Sequence, residues 1–210
     1  MEYHDFSQNT EQDIIVNYFG GEFIGTLLDM GANDGITLSN TYFLIQQGWK
    51  GTFVEPSPTA YLRLIAHHQI HTDLQFFNCA IGSYDGTILL HESGEFLGTG
   101  DIALVSSTTD AETDRWAGME FTDMTVEVKT FKSFLHASRY KTFDFISLDI
   151  EGMDLEVLQQ MNLKELGTKL ICVEFNEKQK ERYDAFILPQ GLNLIYQNPV
   201  NLIYAITTSI

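Results

Sequence analysis

The chain has 210 residues, of which 44% are hydrophobic and 20% charged, and this composition predicts a folded domain rather than a disordered chain. Lys and Arg number 12 against 29 Asp and Glu, so the net charge is −17 and most of the surface would repel a nucleic-acid backbone. No apolar run approaches the roughly 20 residues that cross a bilayer. We therefore expect no nucleic-acid partner and no membrane segment, and nothing in the sequence indicates an oligomeric state.

The two cysteines and the first residues bear on the compartment. Cys79 and Cys172 both lie in apolar runs typical of buried strands, which predicts free structural thiols rather than a disulfide framework. The sequence begins Met1-Glu2-Tyr3-His4-Asp5, without the basic and apolar regions of a signal peptide. These features predict a cytoplasmic protein.

Strand-like and helix-like patterns alternate along the first half, which predicts βαβ units and a mostly parallel sheet. The predicted elements are a helix over 12–19, a strand over 24–30, a helix over 38–47, a strand over 52–55, and a strand over 74–80. Gly48 follows the second helix, as glycine commonly does just past a helix end. Ser57 is predicted to cap a further helix with Pro58 in its first turn.

The middle of the chain is less regular. Asp85-Gly86 favours a tight turn, and strands are predicted over 87–91 and 125–130. Between them, residues 93–123 are rich in Gly, Ser, Thr and Asp, a length and composition that fit an irregular insertion. Such an insertion is either a lid or binding loop, or a disordered surface excursion.

Regular patterns return in the last third. We predict strands over 143–150 and 169–175, helices over 154–161 and 178–188, and two final strands over 193–196 and 202–207. The connection between the last two strands is too short for a crossover, so they form an antiparallel hairpin. The sequence therefore predicts an α/β fold in one domain over 1–210, with a doubly wound, mostly parallel seven-stranded sheet and a C-terminal antiparallel hairpin.

The run from Asp29 to Gly35, Asp-Met-Gly-Ala-Asn-Asp-Gly, lies between the first strand and the first crossover helix. Glycines at this position let the backbone turn tightly at the carboxyl edge, where doubly wound folds bind ligands. Asn33 stands where a dinucleotide fingerprint has its second glycine, so a ligand without pyrophosphate and with a methionine moiety fits better. Asp29 or Asp34 could meet its ammonium group, and Gly31, Ala32, Asn33 and Gly35 complete the predicted turn.

Further candidate site residues lie at the ends of four more strands at the same edge. Glu55 ends the second strand about 20 residues after the glycine turn, the spacing of an acid that accepts ribose hydroxyls, and Pro56 fixes the chain after it. Cys79 and Ala80 end the third strand and could border an adenine. Three acids lie at the same edge. Asp149 and Glu151 come at the end of the strand over 143–150, and Glu174 lies near the end of the strand over 169–175.

Two long segments resemble a known family. The run LLDMGANDGITLSNTYFLIQQGWKGTFVEPSP, residues 27–58, resembles the signature of FkbM-type methyltransferases, and so do DFISLDIEG at 144–152 and ICVE at 171–174. The segment 6–8 with Asp13 is similar to the lead-in of that family, whereas 93–123 departs from it. The resemblance implies a class I methyltransferase fold, S-adenosylmethionine as the methyl donor, and a hydroxyl acceptor on a sugar or a natural product-like small molecule. It places Gly31, Asn33 and Gly35 along the donor, Glu55 at the ribose and Asp149 near the reacting centre.

An alcohol that attacks a methyl group must lose its proton, so a base or a metal is required. The candidate bases are Asp149, Glu151 and His91, while Asp149 with Glu174 could hold Mg²⁺ through oxygen ligands. The histidines and cysteines show no zinc-binding spacing.

Two other classes of function remain as alternatives. A non-catalytic module that binds S-adenosylmethionine or a partner would keep the segment from Gly31 to Glu55 but would not need the acids at 149 and 151. A nicotinamide-dependent oxidoreductase is disfavoured because Asn33 replaces the central glycine.

Overall fold

The computed structural model describes residues 4–176 and 179–207. Its strands are β1 Thr26–Met30, β2 Lys50–Val54, β3 Leu74–Phe77, β4 Ala80–Ile81, β5 Gly86–Ser93, β6 Phe121–Lys129, β7 Phe145–Leu148, β8 Leu170–Glu174, β9 Asn193–Gln197 and β10 Asn201–Ala205. Its α-helices are α1 Glu11–Phe19, α2 Tyr42–Gln46, α3 Pro58–His68, α4 Asp110–Arg115, α5 Phe131–Ala137, α6 Asp154–Leu158 and α7 Lys180–Ile187, the last followed by a 3₁₀ turn. Among the described residues, no helix has the length and apolar character needed to cross a bilayer.

Seven strands form one sheet in the order β3-β2-β1-β7-β8-β10-β9. The five strands from β3 to β8 run parallel, and β10 and β9 are antiparallel to their neighbours. The predicted α/β fold, with its mostly parallel seven-stranded sheet and C-terminal hairpin, is confirmed. The strand order reverses at β1, because β2 lies on one side of β1 and β7 lies on the other. In doubly wound sheets, ligands bind in the crevice at the carboxyl ends of the strands where the order reverses.

Helices cover both faces of the sheet, which explains why its strands lack polar alternation. Successive residues of β1 belong to different cores: Leu28 and Met30 pack with α5 and α6 residues on one face, and Leu27 packs with Ile15 of α1 on the other. Both cysteines are buried and free, as predicted.

The predicted third strand over 74–80 is wrong as a single strand, because the chain changes sheets at Asn78. The Asn78 side-chain amide donates to the carbonyl oxygens of Glu55 (2.8 Å) and Pro56 (3.0 Å). Beyond it, β4 joins a second, three-stranded sheet of order β4-β6-β5, where Ala80 pairs with Val128. An asparagine side chain thus bridges the end of β2 and the point where the two sheets diverge.

Several predicted boundaries shift for local reasons. Helix α2 begins at Tyr42 rather than 38, because Leu38 has a positive φ of 53° and the Asp34 carboxylate holds the preceding turn. Helix α5 was not predicted, although the Thr130 hydroxyl caps it by accepting from Ser133 N. The cap at Ser57, whose hydroxyl accepts from Ala60 N, is confirmed. Helix α7 begins at Lys180, and Lys178, where the prediction began, lies outside the described residues.

The insertion predicted over 93–123 is narrower than expected. Strand β5 extends to Ser93 and β6 begins at Phe121, so part of the segment belongs to the second sheet, and α4 lies within it. The irregular part is organised by buried Asp101, whose carboxylate accepts from the backbone N–H groups of Phe96 and Leu97 at 2.8–3.0 Å. An aspartate that bonds the backbone a few residues away stabilises a specific loop conformation.

Candidate active site

The loop after β1 is tied to the loop after β2. Gly31 N and Ala32 N both donate to the carbonyl oxygen of Val54, and Asn33 N donates to Glu55 Oε2 at 2.8 Å. The Asn33 side-chain amide donates to Ile102 O in the insertion (2.9 Å). Asn33 therefore links three separate segments of chain and fills the turn where a dinucleotide fold would have glycine.

Glu55 is buried and accepts two backbone hydrogen bonds. Asn33 N donates to Oε2 and Ser57 N donates to Oε1 at 2.7 Å. Burial raises the pKa of the Glu55 carboxyl to about 7, although these two hydrogen bonds act in the opposite direction. Each carboxylate oxygen has a further lone pair available for a ligand hydroxyl.

Glu55 lines a first cavity of about 50 Å³ at the carboxyl ends of β1 and β2. Pro56, Cys79 and Ala80 line it from the sheets, and Ala103 and Leu104 from the insertion. The residues that the sequence assigned to a ribose and an adenine therefore lie together, and the insertion covers them.

A second cavity, of about 270 Å³, continues from the first. Gly31, Asn33, Leu104, Asp149 and Glu151 line both. The second cavity is further lined by Asp29, Ala32, Ser147 and Glu174. Asp29 accepts from the Thr41 hydroxyl at 2.5 Å, and its burial raises the pKa of its carboxyl to about 6.

A cluster of acids stands where β7 and β8 end. Asp149, Asp154 and Glu174 each place a carboxylate oxygen within 4.8 Å of the others, and Asp149 and Glu174 share a hydrogen bond. Asp154 accepts from Ile150 N and Gly152 N, and burial raises its pKa to about 8. Burial and mutual repulsion also raise the pKa values of Asp149 and Glu174, so these acids lose their protons at a higher pH than solvent-exposed acids do.

Glu151 adjoins this cluster in a strained conformation. Its φ is +52°, and burial together with repulsion from Glu174 and Asp149 raises its pKa. Oε2 is buried and finds no hydrogen-bond partner among the described residues, and Arg115 Nη1 lies 3.8 Å from it. A non-glycine residue in this backbone region costs about 1–3 kcal/mol and tends to occur at functional sites.

The methyltransferase FkbM domain model matches residues 29–191, which is more than half of the chain. The chain belongs to the FkbM methyltransferase family. The resemblance found in the sequence is thereby confirmed, and membership implies S-adenosylmethionine as the methyl donor. A comparison with curated protein sequences gives no match.

Solved structures share the fold of this FkbM methyltransferase at low sequence identity. The ribosomal protein L11 methylase of Lactobacillus delbrueckii subsp. bulgaricus is 8% identical, with a TM-score of 0.50 over 94% of this chain and 78% of that one. The yhhF protein of Escherichia coli is 12% identical, with a TM-score of 0.52 over 96% of this chain and 88% of that one. WbdD is 12% identical, with a TM-score of 0.50 over 94% of this chain, which spans only 41% of WbdD.

Three residues that the sequence assigned to the FkbM site do not line either cavity. The Asp34 carboxylate accepts from Ile36 N and from the backbone and hydroxyl of Thr37, so it stabilises its own loop. Gly35, with φ +74°, packs against His68 rather than a ligand space, since an added β-carbon would lie 2.5 Å from His68 Nε2.

The third is His91, proposed from the sequence as a base. Its imidazole lies on the second sheet, where Nδ1 is 2.6 Å from Asp123 Oδ1 and Nε2 is 3.3 Å from Asp110 Oδ1. His91 lies opposite Asp123 in the pairing of β5 with β6, and its other contact, Asp110, belongs to α4 in the insertion. His91 therefore lies outside both cavities, and its role as a base stays a prediction.

The structure also adds residues that sequence reasoning missed. Asp154 was treated only as a helix start, and Arg115 and Trp116 lay within an insertion without a recognisable pattern. The pairing of Asp154 with Asp149 and Glu174 depends on the approach of α6 to the end of β8, for which the sequence carries no spacing signal.

Proposed function

We propose that this FkbM methyltransferase transfers the methyl group of S-adenosylmethionine to a hydroxyl group of a saccharide or other small-molecule acceptor. The observation that carries the proposal is that Asp149 and Glu151 line both cavities. Proton-accepting groups thus lie where the cavity lined by Glu55, Cys79 and Ala80 adjoins the larger second cavity.

The residues around the first cavity suit the donor. The Glu55 carboxylate would accept hydrogen bonds from the ribose hydroxyls, and Cys79 and Ala80 would border the adenine. Asp149, which lines both cavities, and Asp29, which lines the second, would face the charged methionine end. When bound, S-adenosylmethionine supplies a methyl group on a positively charged sulfur. Asn33 occupies the space that a pyrophosphate would need, which disfavours NAD.

The acids at the junction would serve as the proton acceptor. As the acceptor oxygen gains the methyl group, its hydroxyl proton passes to a carboxylate oxygen of Glu151 or Asp149, and the bond from carbon to sulfur breaks. Burial makes these carboxylates stronger bases, and the Arg115 guanidinium favours the ionised form of Glu151. The insertion, through Leu104, would help to exclude water from the junction.

The same acids could instead bind a divalent cation. The carboxylate oxygens of Asp149, Asp154 and Glu174 are ligands that Mg²⁺ prefers, and a bound cation would lower the pKa of an acceptor hydroxyl directly. Sensitivity to chelation separates this role from a purely proton-accepting one.

Charge supports a small acceptor over a nucleic acid. The net charge is −17, and the cavities are bordered by carboxylates rather than by a basic surface. The alternative of a non-catalytic binding module gives no role to four neighbouring acids, of which Asp154 and Glu174 are buried at a cost in desolvation.

Calorimetric titration with S-adenosylhomocysteine and, separately, with NAD tests the donor assignment. We expect saturable binding of S-adenosylhomocysteine and a ligand-dependent rise in Tm, with no response to NAD. Incubation with radiolabelled S-adenosylmethionine and separate pools of polar metabolites, RNA and protein then tests the acceptor. Label in the metabolite pool supports the proposal, whereas stabilisation by NAD alone, or label only in RNA or protein, contradicts it.

A further inference from the structure

A surface groove opens onto the second cavity from the insertion. The groove is formed by residues 94–96 and 115–120, and three of its residues, Phe96, Arg115 and Trp116, also line the second cavity. The groove and the second cavity thus share three side chains, and Asp149 and Glu151 line the same second cavity. Asp149 and Glu151 also line the first cavity, so the groove adjoins the second cavity, in which both of these acids are exposed to a ligand.

Two aromatic rings flank this approach. Phe96 and Trp116 meet edge to face with ring centroids 5.0 Å apart, and Phe96 is 38% exposed although it is apolar. The Trp116 indole Nε1 is buried and finds no hydrogen-bond partner among the described residues. Buried indole N–H groups normally have a partner, and this one belongs to a side chain that lines both the second cavity and the groove.

The charges along the approach are unsuited to an anion. Arg115 is the one cationic side chain among the described residues that line the second cavity and the groove. Its guanidinium contacts Glu112 Oε2 at 3.0 Å, lies 3.8 Å from Glu151 Oε2 and stacks 4.7 Å from the Trp116 ring centroid. Its charge is thus offset by nearby acids, and no positive charge is left to bind a phosphate or carboxylate.

We propose that Phe96 and Trp116 form the wall on which the acceptor's ring lies, and that this wall selects hydroxylated rings that carry no negative charge. The inference rests on the proposed function, since it assigns the acceptor side of the same site. The exposed Phe96 ring and the indole face that Arg115 does not cover contact the apolar face of the acceptor's ring, and the acidic surroundings tolerate a neutral or cationic ring.

Trp116 fluorescence provides a direct test, because the chain has two tryptophans and the other one, Trp49, is buried in the core. The protein is saturated with S-adenosylhomocysteine and titrated with methyl glucoside, glucosamine or glucose 6-phosphate. A Trp49→Phe variant isolates the Trp116 signal. If Trp49→Phe folds poorly, the Trp116 signal is obtained by subtracting the emission of a Trp116→Phe variant from that of the unaltered protein.

We expect a saturable change in Trp116 emission with methyl glucoside and glucosamine, and a Kd for glucose 6-phosphate at least about 10-fold weaker. Phe96→Ala should weaken binding of the neutral and cationic sugars by roughly 3- to 10-fold, the size of a lost aromatic contact. Leu97→Ala, an adjacent exposed apolar residue held by the same Asp101, is the matched control and should leave binding unchanged.

Two results would overturn the inference: no response to either uncharged or cationic sugar, or binding of the phosphorylated sugar as tight as that of the neutral one. Calorimetry with S-adenosylhomocysteine on the same samples separates failure of the aromatic wall from failure of the donor assignment. Retained S-adenosylhomocysteine binding with no sugar response rejects the aromatic wall alone, whereas loss of both rejects the proposed function.

Discussion

The carbonyl oxygen of Asp149 occupies the place that a side chain would take at Gly31. A β-carbon added to Gly31 would lie 1.6 Å from that oxygen, and Gly31 also has a φ of +81°. The adjacent backbone bond, from Asp149 N to Met30 O at 3.0 Å, holds the two strand ends together. The glycine therefore serves the junction of β1 and β7, where the candidate proton acceptors enter the site.

Substitution of Gly31 by Ala should destabilise the protein and abolish donor binding, because either the Asp149 backbone or the loop must move. We expect a loss of more than about 3 kcal/mol in the free energy of unfolding, which is larger than most single substitutions cause and is expected for a steric clash with backbone. Gly48→Ala is the matched control: its φ is +97° but nothing lies within 4 Å of the added carbon, so it should cost only about 1–2 kcal/mol. Urea unfolding measures both, and equal losses would contradict the explanation.

Glu55→Gln should weaken binding of S-adenosylhomocysteine by about 1.5–3 kcal/mol, the value of hydrogen bonds to a charged group. The amide also replaces one of the two oxygens that accept from Asn33 N and Ser57 N, so we expect some loss of stability as well. Calorimetry at a temperature well below Tm measures the affinity separately from folding.

Glu92→Gln is the control for this change. Glu92 accepts from the hydroxyls of Ser57 and Thr59 close to Glu55 but does not line either cavity. Donor affinity should stay near that of the unaltered protein in Glu92→Gln. An unchanged affinity in a folded Glu55→Gln variant would remove Glu55 from the site.

The ligand-free protein should lose stability as the pH rises from about 5 to 8. Burial raises the carboxyl pKa of Asp29 to about 6, of Glu55 to about 7 and of Asp154 to about 8. Because the folded state binds these protons more tightly than the unfolded chain, whose carboxyl pKa is about 4, the stabilisation is complete below that pH and is lost as the pH rises through about 6 to 8.

Urea unfolding across this range measures the effect. Asp154→Asn should reduce the slope by at most about 1.4 kcal/mol per pH unit, the value for one proton. Asp85→Asn should leave the slope unchanged, because hydrogen bonds from Ser133 and Thr130 lower the Asp85 pKa below the range tested. Stability that increases with pH over this range would show that these acids are ionised in the folded protein.

Glu151→Gln should reduce turnover by roughly 10²–10⁴ if Glu151 is the general base, with donor affinity little changed. Asp149→Asn tests the neighbouring acid in the same assay once an acceptor is identified, and exposed Glu165→Gln serves as the control. Loss of activity in EDTA that Mg²⁺ restores would assign the cluster to cation binding. Near-normal turnover in both Glu151→Gln and Asp149→Asn would reject the role of the acids.

The sequence by itself determined the fold class and the family. Buried strands without polar alternation, Gly and Pro at helix ends, and a hairpin too short for a crossover are local signals, and each acts through a few neighbouring residues. The segments at 27–58 and 144–152 also carried enough of the family pattern to predict the donor and to place Glu55 and Asp149 at one edge of the sheet. Parallel strands end at a common edge, so order along the chain was sufficient for this step.

Only the tertiary structure decided which of these residues face the cavities. Asp34 lies one residue from Asn33, yet its carboxylate bonds its own loop while Asn33 reaches the insertion. His91 was a reasonable base by residue type, but the pairing of β5 with β6 directs it to Asp123. The orientation of a side chain and the contacts between distant segments, such as Trp116 beside Phe96, depend on how elements far apart in sequence pack. Local patterns carry no information on that packing, because it is set by the shape and charge of surfaces that exist only once the chain has folded.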